Sequence, residues 1–343
     1  MINYITKDRN DMFSKLSYQE RDVLLDQINS FYLTYRRDLE LPEYLTFGIE
    51  IEAEEINFDR VYNYLTKNFP DWDIKEDVSL ITGIEAASPI YFDKKYVWEE
   101  IKKICSYFRR VKADTTGHAG GHVHISALPL EQNLEYWRKF IKLYTAYESV
   151  LWRFSVGDKN HIREGAYDWA APISDELRKN IAKINDVSFL KELRKLIPTK
   201  TKKQALNFRN ARIFTKNNSQ AYRCLNTIED RKGNATINEI VWQNYVNTDA
   251  KLVLAATKSI IDEDFLDYRI ENDMCSLQEQ GHYDFEDYSI HDALEFVDLI
   301  FDNNLDKVYF LRQYIRNYQT TDCLTEPLEE CEPFYTITKR WIY

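Results

Sequence analysis

One stretch limits the fold more than any other: Leu45-Thr-Phe-Gly-Ile-Glu-Ile-Glu-Ala53, in which apolar and charged residues alternate. A period of two belongs to a strand, where successive side chains leave opposite faces. Ile49 and Ile51 then share one face, while Glu50 and Glu52 share the other, roughly 7 Å apart at about 3.3 Å of rise per residue. Two more alternating stretches follow, from Ser79 to Ser88, closed by Pro89, and His122-Val-His-Ile-Ser126. In the second, His122, His124 and Ser126 share a face and Val123 and Ile125 turn to the core.

Helical periods surround these strands. Ser17-Tyr-Gln-Glu20 has capping-box spacing and opens a helix predicted over 17–39. Further helices are predicted over 59–68, from a cap at Asp93 to Phe108, over 131–154 and 174–196, from Thr248 to Ile261, and near 290–318. Thr236 to Tyr245 alternates like a strand, 263–289 reads as an acidic loop, and an aromatic tail ends the chain. The expected fold class is α+β with a largely antiparallel sheet and flanking helices. It divides into an N-terminal helical extension (1–40), a catalytic domain (41–265) and a C-terminal extension (266–343) packed on the same domain.

At 343 residues core size is no limitation. The 56 acidic against 45 basic residues give a net charge of −11, which argues against a general nucleic-acid binder. Cys105, Cys224, Cys275, Cys323 and Cys331 are odd in number and widely spaced, as expected of reduced intracellular thiols. The N-terminus lacks a secretory apolar core, and no stretch approaches the roughly 18 apolar residues of a membrane span. A soluble cytoplasmic protein without membrane or nucleic-acid partners is expected.

Chemistry concentrates between residues 46 and 126. Two carboxylates on one strand face suit hard cations, although an exposed glutamate pair is also a common solvated surface. Asp77 and Glu85 flank the second strand, and Glu85 lies between Ile84 and Ala86, a costly place for a charge unless a cation or water compensates it. His122 and His124 have the spacing of strand metal ligands, and equally that of two hydrogen-bonded histidines near a turn.

In series, Phe47-Gly-Ile-Glu-Ile-Glu52, Asp77-Val-Ser79, Glu85-Ala-Ala-Ser-Pro89 and Gly121-His-Val-His124 resemble the amidoligases related to glutamine synthetase and glutamate-cysteine ligase. The resemblance implies a glutamine synthetase-like catalytic domain that joins a carboxylate to an amine through an acyl phosphate, using ATP and Mg²⁺ or Mn²⁺. It implies that Glu50, His122 and Glu239 hold one cation, and that Glu52, Asp77 and Glu85 hold the other. His124, Glu85 and Arg163 take catalytic roles, while Ser126, His124, Arg163, Arg223 and Gln243 lie at the cofactor. The family's late strand reads Glu-Phe-Arg, and against Asn238-Glu-Ile-Val-Trp-Gln243 this puts Val241 where the arginine belongs. Either Arg209, Arg212 or Arg223 supplies the charge, or transition-state stabilisation is weakened.

The chain has no GxxxxGK[ST] loop, which argues against a P-loop enzyme. Two other readings compete: a zinc hydrolase built on the histidines, and a catalytically degenerate binding protein, which Val241 would explain. The partners implied are a carboxylate and an amine, with oligomer contacts or substrate capture open to the N-terminal helix and the acidic stretch 263–289. Nothing in the chain names the substrates.

Overall fold

The computed structural model describes residues 7–322 other than 32, 78, 116, 158–162, 198–202, 215–224 and 273–288. Its strands are β1 (Thr46–Ala53), β2 (Asp73–Lys75), β3 (Ile84–Ala87), β4 (Tyr91–Phe92), β5 (Gly120–Ser126), β6 (Leu206–Asn207) and β7 (Thr227–Asn234). They form one sheet in the order β2-β3-β1-β5-β7-β6, with β4 paired to the start of β1. All of these pairings are antiparallel. The fold is therefore α+β.

Among the described residues the α-helices are α1 (Tyr18–Asn29), α2 (Phe58–Asn68), α3 (Lys95–Arg110), α4 (Leu134–Val156), α5 (Ala166–Trp169), α6 (Ser174–Arg178), α7 (Ile181–Asp186), α8 (Leu190–Leu196), α9 (Glu239–Ala255), α10 (Glu263–Asn272), α11 (Ile290–Ile300) and α12 (Asn304–Asp322). No helix among these residues is long and apolar enough to cross a membrane.

Helices cover the apolar face of the sheet. Val97, Trp98, Ile101, Ile104 and Phe108 lie on the buried side of α3, and the Trp98 ring stacks on Phe47 of β1 at 5.1 Å. Further along, α9 packs on β5 and α4 on β7. Phe47, Ile49, Ile51, Val123, Ile125 and Ile228 are each at most 3% exposed, and burying a side chain of this size contributes about 1.5–3 kcal/mol. One continuous core runs from Phe13 to Tyr314, so the terminal helices share it with the sheet. The other face of the sheet is left to polar side chains.

Several expectations are corrected. The first helix keeps its Ser17–Glu20 capping box but stops at Asn29. The following segment is strapped down through its backbone: Arg36 N–H donates to Gln243 Oε1 (2.9 Å), and Leu39 and Leu41 N–H donate to the Asp93 carboxylate. Asp93 therefore caps no helix; α3 begins after Lys94, which makes no side-chain cap. The stretch expected as one helix over 174–196 is α6, α7 and α8, and the acidic stretch begins with α10. Residues 236–245 enter a helix, not a strand, because Asn238 Oδ1 accepts from Ile240 N–H and starts α9. The rest of the acidic stretch, Arg223 and the aromatic tail lie outside the described residues.

Candidate functional site

Strand register builds the site. Glu52 lies directly opposite Glu85, Glu50 opposite His122, and His124 is flanked by Gly48 on β1 and Glu229 on β7. Residues paired across neighbouring strands share a face, so these side chains form one diagonal band across the open side of the sheet. Like charges placed opposite one another destabilise a sheet, and Glu52 and Glu85 are nonetheless only 3% and 5% exposed. Such an arrangement calls for a compensating cation.

The band resolves into two clusters. Glu52, Asp77 and Glu85 each offer an oxygen within 4.8 Å of the others, and Glu50, His124 and Glu229 do the same with two oxygens and a ring nitrogen. His122 lies between them. Its Nδ1 is 2.7 Å from Glu50 Oε2, and His124 Nε2 is 2.9 Å from Glu50 Oε1. Burial opposes the charge on Glu50, but hydrogen bonds from the two imidazoles win and hold it well below the usual carboxylate range. An ionised Glu50 can only accept, so His122 Nδ1 carries the hydrogen. Among the described residues the opposite nitrogen, His122 Nε2, is buried without a hydrogen-bond partner and points to Glu52 Oε1 at 3.6 Å. A buried imidazole nitrogen beside a carboxylate cluster has the donor chemistry of a cation ligand. The oxygen-rich set suits a hard ion such as Mg²⁺, and the set with an imidazole accepts Mg²⁺, Mn²⁺ or zinc.

Charges around the band differ in strength. Asp77 accepts from Ser79 N–H and Oγ at 2.7 and 2.6 Å; burial would raise its carboxyl, but these bonds keep it below its ordinary value. Burial opposes the charge on Glu229, and His124 and Arg231 restore it. Burial also works against His124, yet the bond to Glu50 and the charge on Glu229 raise it overall. Glu85 is pushed up to about 7, first by burial and then by the charge on Glu50, despite Lys75 Nζ at 2.7 Å.

A folded-state value raised from 4.5 to about 7 has a definite sign. Below 4.5 both folded and unfolded chains hold the proton; between 4.5 and 7 the unfolded chain releases it first, so stability falls as pH rises, and above 7 the loss is complete. Glu85→Gln stays neutral and should therefore melt higher than the wild type in chelator, with a gap that widens from pH 5 to pH 8. The lost ion pair with half-exposed Lys75 offsets little of this. A gap that stays constant with pH, read by thermal unfolding, would remove the strained charge at Glu85.

Two arginines close the band. Arg163, 5% exposed, donates from NH2 to Arg231 O (2.9 Å) and from NH1 to His118 O (3.4 Å); burial pulls its guanidinium down. Gly120 makes room for it, since a Cβ there would lie 2.8 Å from Arg163 Cζ and 3.0 Å from His122 Nε2. Arg231, two residues beyond Glu229 on the same face of β7, pairs with the Glu229 carboxylate. Asn207 on β6 donates to the other Glu229 oxygen at 2.7 Å. Ser126 shares the face further along β5 and accepts from Leu128 N–H.

Two predicted residues fall elsewhere. Glu239 opens α9, fully buried, bound to Arg109 at 2.8 Å and near Lys102 at 4.0 Å, so it holds α3 to α9. Gln243, one turn further on, is fully buried and clamps the Arg36 backbone through both amide atoms. Val241 is a core residue of the same helix and stands at no site. The residues that sequence reasoning missed are Glu229 and Arg231. Their signal was present, because Glu229-Asp-Arg231 has the Glu-x-Arg spacing sought ten residues later. Arg209 and Arg212 are exposed beyond β6.

Among solved structures the chain is similar to the bifunctional glutathione synthetase of Pasteurella multocida, with 11% identity and a TM-score of 0.43 over 96% of this chain and 52% of that one. It therefore spans about half the length of that enzyme. It is also similar to the glutamate–cysteine ligase of Francisella tularensis in complex with AMP, with 11% identity and a TM-score of 0.45 over 91% of this chain and 92% of that one. Among curated proteins no match is found. A family model described as "Putative amidoligase enzyme" matches residues 66–253, more than half of the chain and the span that carries Asp77, Glu85, the histidines, Arg163, Glu229 and Arg231. The chain belongs to the amidoligase family.

Proposed function

We propose that this protein is an ATP-dependent carboxylate–amine ligase with two divalent cations, Mg²⁺ or Mn²⁺. Glu52, Asp77 and Glu85 would hold one, with His122 Nε2 beside it, and Glu50, His124 and Glu229 the other. The observation that carries this reading is the pair of adjoining ligand clusters on one sheet face with two arginines at their edge. Divalent cations held there would supply charge neutralisation during phosphoryl transfer.

Amide formation in water is uphill, so the carboxylate must first be activated. Its oxygen attacks the γ-phosphorus of ATP, the bond to the β–γ bridging oxygen breaks, and ADP leaves. The amine then attacks the carbonyl carbon of the acyl phosphate, phosphate departs with the electron pair of the C–O bond, and the nitrogen gives up its proton to the departing phosphate. Arg163 and Arg231 orient the transferred phosphoryl group and stabilise its charge, as fixed guanidinium donors do. Ser126 lies further along the face, where it lines the nucleotide or substrate end.

The test is thermal unfolding with ATP, Mg²⁺, both or neither. A ligand at 100 times its dissociation constant adds about 2.7 kcal/mol to native stability, which should raise the midpoint by roughly one to two degrees or more. A shift that needs ATP and Mg²⁺ together supports the ligase. No shift from either, with zinc in the purified protein and turnover without ATP, would assign the same side chains to hydrolysis.

A further inference from the structure

We infer that Glu54 is a positioning residue that sets the acidic cation cluster in register with Arg163, a conclusion that rests on the ligase reading above. Glu54 follows Glu52 on the same face, just beyond the end of β1, and is 3% exposed, yet it belongs to neither ligand cluster. Its two oxygens serve two different loops. Oε1 accepts from Ile81 N–H at 2.8 Å, in the turn where Leu80 N–H donates to Asp77 O and Ser79 holds the Asp77 carboxylate. Oε2 accepts from His118 N–H at 3.2 Å and lies 3.3 Å from His118 Nδ1.

The second loop leads to the arginine. His118 Nε2 reaches Glu164 at 3.2 Å, Gly117 O accepts from Glu164 N–H at 2.9 Å, and His118 O accepts from Arg163. Gly117 is open enough for this approach because a Cβ there would lie 2.8 Å from Glu54 Oε2. One buried carboxylate thus ties the loop that aims Asp77 to the loop that aims Arg163. Both bonds run to loop residues, Ile81 and His118, and neither belongs to a helix or to the sheet ladder. What they fix is the separation between the cation end and the phosphate end of the site.

Mn²⁺ titration followed by electron paramagnetic resonance, without nucleotide, tests this apart from turnover. Wild type should bind two Mn²⁺. Glu54→Gln keeps one acceptor but turns an NH₂ on donors, so one Mn²⁺ site should weaken at least tenfold while the other keeps its affinity. His118→Ala leaves the carboxylate and its bond to Ile81 intact, so both Mn²⁺ sites should survive while the midpoint shift with Mg·ATP shrinks. That second variant holds the proposal to account even if Glu54→Gln fails to fold. Unchanged Mn²⁺ binding in Glu54→Gln, loss of both sites together, or loss of Mn²⁺ in His118→Ala overturns the positioning role. A wild-type protein that binds no Mn²⁺ removes the cation reading and this inference with it.

Discussion

Glu52→Gln is expected to abolish the Mg²⁺-dependent stabilisation by ATP and to lower ATP turnover about 10³-fold, while the protein stays folded. The magnitude follows from several kcal/mol of transition-state charge stabilisation lost with a cation, at about 1.4 kcal/mol per factor of ten. Glu52 is the most telling member of the band because it joins the acidic cluster to β5. It accepts from Gly120 N–H, lies 3.6 Å from the orphaned His122 nitrogen, and faces Glu85 across the sheet. Glutamine preserves its size and one acceptor, so packing survives, and removing one of five neighbouring carboxylates relieves repulsion. Stability in chelator should hold or rise. If the variant melted far below the wild type in chelator, Glu52 would be a structural residue; if ATP still stabilised it with Mg²⁺, the acidic cluster would not be the nucleotide's cation site.

The strands that supply this residue and its neighbours were readable because they bury one face only. In β1 and β5 isoleucine and valine point at helices while carboxylates and imidazoles point away, so the pattern of two is written in polarity. β7 has no such contrast. Glu229 and Arg231 face the site, and on the other side Asp230 pairs with Lys232, whose ammonium lies 5.5 Å from the Tyr144 ring of α4. Charged side chains leave both faces and nearly every residue is buried, so the polar–apolar alternation that marks β1 and β5 is absent. α9 hides for the converse reason: it is enclosed on almost all sides, which erases the polar stripe of a surface helix. With β-branched Ile240 and Val241 near its start, local alternation resembled a strand. Together these two effects placed the Glu-x-Arg pattern on α9 instead of β7 and suggested a missing arginine, which in the proposed assignment Arg231 supplies. The strap over residues 33–41 was illegible for another reason, since its partners, Asp93 and Gln243, are reached only through the tertiary fold.

Two substitutions separate these placements of the motif by opposite outcomes. Arg231→Met removes a guanidinium that is 13% exposed beside Glu229 and should cost about 10²–10³-fold in turnover, the range for deleting one preorganised charge donor at a reacting centre. The methionine stem fills similar space on the strand but leaves buried Glu229 only His124 and Asn207 as partners, so the midpoint should fall too, and turnover is compared at a temperature where both proteins are folded. Val241→Arg does the reverse. Val241 is 3% exposed in the main core, on a helix between the sheet and the terminal helices, and a guanidinium introduced there meets no carboxylate meant for it. An unpaired buried charge costs several kcal/mol, a large share of the roughly 5–15 kcal/mol that separates most folded domains from unfolding. The variant should express poorly or melt well below the wild type, and should gain no ATP turnover. A folded Val241→Arg protein with raised turnover, or an Arg231→Met protein with full activity, would return the motif to α9 and remove Glu229 and Arg231 from the site.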